Sequence, residues 1–138
     1  LPIFKLTVVL LNNHGFQSIG GLSRAIGSGG FGTSYRYRDA KTGHLRGKPV
    51  PVDYAANARS LGAHVIVARD IPELKSALAE ARRQTQTTVI VMETNPEQRV
   101  PGYESWWDVP IAETSTLAAV KQARKDYERA RAKERHHL

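Results

Sequence analysis

Three short runs of aliphatic residues alternate along the chain with segments in which apolar residues recur at helical spacing. The runs at 6–11, 63–67 and 87–93 predict β-strands that are buried on both faces, as the strands of a parallel sheet are. The segments between and after them predict helices. The order strand, loop, helix, strand, helix, strand, loop, helix therefore predicts an α/β fold, an open parallel sheet with flanking helices.

The boundaries of two helices carry specific signals. Asp53 precedes an apolar face that Gly62 closes, so we expect a short helix capped by the aspartate. Asp70, Pro72 and Glu73 have the spacing of a capping box with proline in the first turn. The apolar face of that second helix consists of Leu74, Ala77, Leu78 and Ala81.

The last helix is predicted at about 115–135, beginning near Thr114 or Ser115. One side carries Leu117, Val120 and Tyr127, and the charged side offers Arg124 and Glu128 as a pair one turn apart. The chain opens inside a strand that the pattern predicts to be central, and three strands make a thin sheet. We therefore expect residues 1–138 to be part of a larger domain.

A glycine-rich segment at about 20–51 separates the first strand from the second. Loops of this length are usually functional or disordered. Two interpretations stay open: a flexible surface connection, or a lid that closes over a ligand bound at the end of the first strand.

Composition narrows the class of protein. No segment approaches the ~20 apolar residues of a membrane helix, and the first residues do not read as a signal peptide. Cysteine is absent, which excludes disulfides and thiolate sites and is consistent with a cytoplasmic protein. The net charge of +7 is concentrated in residues 1–60 and 121–138, where only the short run Tyr35-Arg36-Tyr37-Arg38 interleaves aromatic with basic residues. We therefore expect no nucleic-acid binding and, without a spanning segment, no membrane partner.

The candidate chemistry lies in the turn after the first strand, Asn12-Asn13-His14-Gly15-Phe16. Ligands of open parallel sheets bind at the carboxyl ends of strands. Amide and carbonyl oxygens suit Mg²⁺, and a following helix would turn its N-terminus toward a phosphate. The alternative is an ordinary turn, because asparagine tolerates left-handed geometry.

Residues 10–16 resemble the second half of the thiamine diphosphate motif, which opens with Gly-Asp-Gly and closes with a strand ending in Asn-Asn. The segments at 12–22, 52–63 and 105–110 resemble the thiamine-dependent trihydroxycyclohexanedione hydrolases of myo-inositol catabolism, relatives of acetolactate synthase. The Gly-Asp-Gly half of the motif is absent from this chain. The resemblance therefore implies the C-terminal part of a thiamine-diphosphate-binding domain.

The resemblance implies roles for individual residues. Asn13 and the carbonyl of Gly15 would hold Mg²⁺ against the diphosphate, and His14 and Phe16 would lie at the cofactor surface. A solvated loop histidine is the alternative for His14. The glutamate that activates the cofactor is expected outside this chain, so no catalytic residue is assigned here.

The implied activity is the hydrolysis of a ring C–C bond of a trihydroxycyclohexane-1,2-dione to a 5-deoxyuronic acid. The implied partners are the small dione substrate, the remaining domains of the enzyme and further copies in a homo-oligomer. The chain alone is expected to be inactive and to aggregate through its exposed strand edge. The alternatives are another thiamine enzyme of the acetolactate-synthase type, or a basic α/β module that binds nucleotide or nucleic acid.

Some residues have no assigned role. Gln17 is interpreted either as a substrate contact or as a helix cap, and Trp106 and Trp107 as packing residues or as a clamp near the cofactor. Neither the stereochemistry of the substrate nor the oligomeric state follows from the sequence.

Overall fold

A computed structural model describes residues 4–98 and 109–135. Trp106, Trp107 and the two histidines at 136–137 lie outside the described residues, as does most of the segment 105–110. The chain divides into two compact units, Leu1–Gly15 with Pro49–Pro96, and Phe16–Lys48 with Glu97–Leu138. In chain order the elements are β1 (Thr7–Asn12), α1 (Gln17–Ala25), α2 (Tyr54–Ser60), β2 (His64–Ala68), α3 (Ile71–Arg83), β3 (Thr88–Glu93) and α4 (Ala118–Arg131).

The first unit contains a parallel sheet with the strand order β1-β3-β2, so the predicted α/β fold is confirmed. The register pairs Asn12 of β1 with Glu93 of β3, and both residues end their strands. Ile90, at the middle of β3, is fully buried. The core around it consists of Ala68, Ala77 and Ala81, with Ile66 and Leu74 packed against them.

The prediction that β1 is a central strand buried on both faces is wrong. Within the described residues β1 pairs only with β3, and Val8, Val9 and Leu11 are 40–57% exposed. A continuous apolar run indicates burial but does not say which neighbours provide it. In this sheet β3 is the central strand, and it alone has a largely buried run.

The predicted helix boundaries in this unit are confirmed. Asp53 Oδ1 accepts a hydrogen bond from the Ala56 N–H at 2.8 Å, and Gly62 has a φ of +83°, a left-handed conformation that favours glycine. Asp70 Oδ1 accepts one from the Glu73 N–H at 2.8 Å. The predicted apolar face of α3 is only partly buried, because Leu78 is 37% exposed.

The second unit contains α1 and α4. Helix α1 extends through Gly20 and Gly21, so the irregular part of the glycine-rich segment begins at 26 rather than at 20. The segment has local order, since Tyr37 and Lys48 are joined by a backbone hydrogen bond of 3.0 Å. Its role as a lid stays a prediction.

Helix α4 begins at Ala118, later than the sequence predicts. Leu117 has an extended backbone, and the Ser115 hydroxyl accepts a hydrogen bond from the Leu117 N–H at 3.1 Å, so this serine holds a turn ahead of the helix. The predicted pair is present, with 2.6 Å between Arg124 Nε and Glu128 Oε1. No helix among residues 4–98 and 109–135 is long and apolar enough to cross a membrane.

Candidate functional site

Asn12 anchors the turn at the carboxyl end of β1. Its side chain is 5% exposed, its Nδ2 donates to Glu93 Oε1 at 2.7 Å, and its Oδ1 accepts from the His14 N–H at 3.1 Å. Its backbone carbonyl accepts from the N–H and the hydroxyl of Thr94, both at 3.0 Å. The first asparagine of the pair is therefore fully engaged in holding the turn against β3.

Asn13 differs from its neighbour. It is half-buried, and its side chain makes no hydrogen bond to any residue that the structure describes. The carbonyl of Gly15 likewise accepts no hydrogen bond from the described part of the chain. The turn thus presents two uncharged oxygen donors that the protein itself does not use.

His14 lies between these two residues in a left-handed conformation, with a φ of +57°. For a residue other than glycine this conformation is uncommon and costs roughly 1–2 kcal/mol. The imidazole is 41% exposed, and its Nε2 lies 2.9 Å from Glu93 Oε2. His14 is therefore held by the protein rather than freely solvated.

Glu93 is the residue that the sequence analysis missed. Its two carboxylate oxygens contact Asn12 and His14, one each. The sequence signal that could have found Glu93 is its position at the end of an apolar strand. A carboxylate at that position lies at the same edge of the sheet as the asparagine turn. Its pairing with Asn12 depends on β1 and β3 being neighbours, which the sequence pattern did not establish.

Phe16 begins the second unit. It is the N-cap residue of α1, and its ring is 53% exposed and packs edge-to-face on Tyr35 at 5.6 Å between centroids. Among the residues that the structure describes, no side chain caps α1. Gln17 does not take the capping role that the sequence suggested: it is buried, with its Nε2 3.1 Å from Ser34 Oγ and its Oε1 3.0 Å from Arg24 Nη2.

The donor chemistry of the turn fits a hard divalent cation. Across the ranges 4–98 and 109–135, no three His, Cys, Asp or Glu side chains gather as a metal centre. Asn13 Oδ1 and the Gly15 carbonyl are, however, oxygen donors of the type that Mg²⁺ accepts together with water and phosphate. An uncharged open groove of about 670 Å³ lies elsewhere in the first unit, lined by Val8, Tyr54 and Leu61 among others, and contains none of the turn residues.

Residues 3–92 match the model of the C-terminal TPP binding domain of thiamine pyrophosphate enzymes. The match covers more than half of the chain, and the chain belongs to this family. Among its relatives are proteins named 3D-(3,5/4)-trihydroxycyclohexane-1,2-dione hydrolase. One from Clostridium botulinum (strain Alaska E43) is 38% identical over 122 residues, and one from Bacillus thuringiensis is 39% identical over 119 residues.

These alignments cover 88% and 86% of this chain but only 19% and 18% of the relatives. The chain therefore spans about a fifth of the length of the curated relatives that it matches. No solved structure matches it. The resemblance to the trihydroxycyclohexanedione hydrolases, and the thiamine diphosphate domain that it implied, are confirmed.

Proposed function

We propose that this chain holds the Mg²⁺ and the diphosphate of thiamine diphosphate in an enzyme that hydrolyses a ring C–C bond of a trihydroxycyclohexane-1,2-dione. The observation that carries the proposal is the contrast between the two asparagines. The side chain of Asn12 makes hydrogen bonds that hold the turn, whereas Asn13 Oδ1 and the Gly15 carbonyl have no partner among the described residues. In the proposal, these two oxygens bind the metal ion.

His14 and Phe16 are proposed to lie at the cofactor surface. When bound, thiamine diphosphate supplies a nucleophilic carbon that lets a C–C bond next to a carbonyl break, and the protein contributes binding, orientation and exclusion of water. The part assigned to this chain is binding and orientation. The acid–base groups of the reaction are expected from other parts of the enzyme.

The substrate is proposed from the relatives, whose names specify a trihydroxycyclohexane-1,2-dione hydrolase. A 5-deoxyuronic acid as product, a place in myo-inositol catabolism, a cytoplasmic location and a homo-oligomeric assembly belong to the same proposal. A panel of cyclic and acyclic diones and 2-oxo acids, offered to the full-length protein, distinguishes this activity from that of other thiamine enzymes.

The experiment that tests the metal assignment is Asn13→Ala in the full-length protein. We expect the affinity for thiamine diphosphate in the presence of Mg²⁺ to fall about tenfold or more, a change of about 1.4 kcal/mol. Isothermal titration calorimetry gives the cofactor affinity at fixed Mg²⁺ and the Mg²⁺ affinity at fixed cofactor.

Asn57→Ala is the matched control, because Asn57 is an exposed asparagine on α2, away from the turn. It should leave both affinities unchanged. Wild-type affinity for cofactor and metal in Asn13→Ala would contradict the assignment. The absence of any Mg²⁺-dependent cofactor binding by the wild-type protein would contradict the proposed function itself.

A further inference from the structure

We propose that Glu93 is a positioning residue of the cofactor site, which fixes the shape of the turn that carries the metal ligands without itself contacting the metal. The inference rests on the proposed function. Its basis is that a single carboxylate, at the end of the central strand, contacts the turn on both sides of Asn13.

The first contact is with Asn12. Glu93 Oε1 accepts the hydrogen bond from Asn12 Nδ2 at 2.7 Å, which directs the Asn12 side chain so that its Oδ1 accepts from the His14 N–H at 3.1 Å. The orientation of the Asn12 amide is therefore specified from both ends. An unanchored amide can rotate and present its NH₂ group to the His14 N–H instead, where it accepts nothing.

The second contact is with His14. Glu93 Oε2 lies 2.9 Å from His14 Nε2, on a residue whose backbone is in the left-handed region. His14 lies between Asn13 and Gly15 in the chain. Its backbone conformation therefore sets the direction of the Asn13 side chain relative to that of the Gly15 carbonyl. Residues with a strained backbone persist where several contacts hold them in place. At His14, Glu93 and Asn12 provide these contacts.

The test compares two variants of Glu93 in the full-length protein. Glu93→Gln keeps an oxygen that accepts from Asn12 Nδ2, and its NH₂ group donates to His14 Nε2 in the tautomer that carries its proton on Nδ1, so both contacts can form without the charge. Glu93→Ala removes both. We expect Glu93→Ala to lower the Mg²⁺ affinity at fixed thiamine diphosphate about tenfold, and Glu93→Gln to stay within about threefold of wild type.

Glu80→Ala is the matched control. Glu80 Oε1 lies 2.8 Å from His64 Nε2, so the variant breaks a histidine–glutamate pair of nearly the same length, 2.8 against 2.9 Å, in the same unit, between α3 and β2. It should leave the Mg²⁺ affinity unchanged. Thermal unfolding measures how far each alanine variant is destabilised. If both are destabilised equally, a loss of Mg²⁺ affinity in Glu93→Ala alone is not an effect of lower stability.

The outcomes separate this inference from the proposed function. An equal loss in Glu93→Gln and Glu93→Ala would mean that the hydrogen bonds that Glu93→Gln retains do not maintain the site, and it would overturn the positioning role. Wild-type affinity in Glu93→Ala, with a loss in Asn13→Ala, would overturn the inference and leave the proposed function standing. If Glu93→Ala does not fold, Glu93→Asp replaces it. Its shorter side chain cannot reach both partners, so full affinity in Glu93→Asp would also overturn the inference.

Discussion

Two strand-to-helix turns at the carboxyl edge of the sheet use their polar side chains differently. After β2, Asp70 accepts from the Glu73 N–H, and Glu73 Oε2 accepts from the Arg69 N–H at 2.8 Å. These groups serve the start of α3. After β1, the polar groups of Asn12 and Glu93 hold a turn, and no side chain in the described part of the chain caps the helix that follows.

We infer from this difference how a strand end stays available to a ligand. A capping aspartate satisfies helix N–H groups and leaves little for a phosphate or a metal ion to bind. In the turn after β1, the bonds that fix the backbone come from the residues beside Asn13 rather than from Asn13 itself. The turn after β1 is therefore held in a fixed shape while the side-chain oxygen of Asn13 stays available.

The largest effect on stability is expected for Asn12→Ala. The variant leaves a Glu93 oxygen and the His14 N–H without their partner in a part-buried turn, which costs about 1–3 kcal/mol. Urea unfolding of the full-length protein measures the loss, and calorimetry should show weaker Mg²⁺ binding as well. Full stability together with unchanged metal affinity would mean that Asn12 does not anchor the turn.

Asp70→Ala is expected to have a smaller effect, confined to stability. The variant removes the cap of α3, which costs about 1 kcal/mol. The affinity for thiamine diphosphate and Mg²⁺ should not change, because the hydrogen bond of Asp70 stabilises only the start of α3. A loss of cofactor affinity as large as that of Asn13→Ala would erase the distinction between the two turns.

The sequence predicted the second turn well and the first only in part. The signals at Asp70 and Asp53 are local, since the capping side chain and the N–H that it binds are three residues apart. The contact between Asn12 and Glu93 joins residues 81 positions apart. This contact exists because β3 lies next to β1 in the sheet, between β1 and β2. Local sequence patterns do not predict that strand order.

The exposure of β1 has the same cause. Its apolar run indicates burial, but burial depends on the neighbours on each side of the strand and on the helices above it. The resemblance identified the family, and it implies the assignment of Asn13 and Gly15 to the metal, which stays a prediction. It did not identify Glu93, whose part in the turn became visible only from the register of β1 against β3.

A third prediction compares two replacements of His14. Both His14→Gly and His14→Ala remove the imidazole, but only alanine keeps a Cβ at the φ of +57°. The left-handed backbone costs alanine roughly 1–2 kcal/mol, and the greater freedom of glycine in the unfolded chain offsets about 0.4–1 kcal/mol of that difference.

We therefore expect His14→Gly to be more stable than His14→Ala by about 0.8 kcal/mol, the difference between the midpoints of those two ranges. Paired urea unfolding curves measure it. If the turn matters for binding through its shape, the glycine variant should also bind Mg²⁺ more tightly than the alanine variant. A reversed order of stability would mean that the left-handed conformation at His14 is not maintained.

The smallest effect is expected at Asp39, which forms a turn like that of Asn12 but on an exposed loop of the second unit. Asp39 Oδ1 accepts from the N–H groups of Lys41 and Thr42, at 3.1 and 2.8 Å, and from the Thr42 hydroxyl at 2.9 Å. The hydrogen bond from the Thr42 N–H is the main reason why the pKa of Asp39 lies below its ordinary value.

Because the folded pKa is lowered, this turn is stabilised above the ordinary pKa of aspartate and loses that stabilisation as the pH falls through the lowered pKa. The Lys41 and Thr42 amide signals should report the transition in an NMR titration, with a midpoint below that of an ordinary aspartate. The Asp39→Asn variant should show no such transition and no measurable change in Mg²⁺ affinity. Asp39 thus repeats the backbone role of Asn12 in a turn that does not follow β1, so weakened Mg²⁺ binding in Asp39→Asn would contradict the idea that ligand binding depends on the turn after β1.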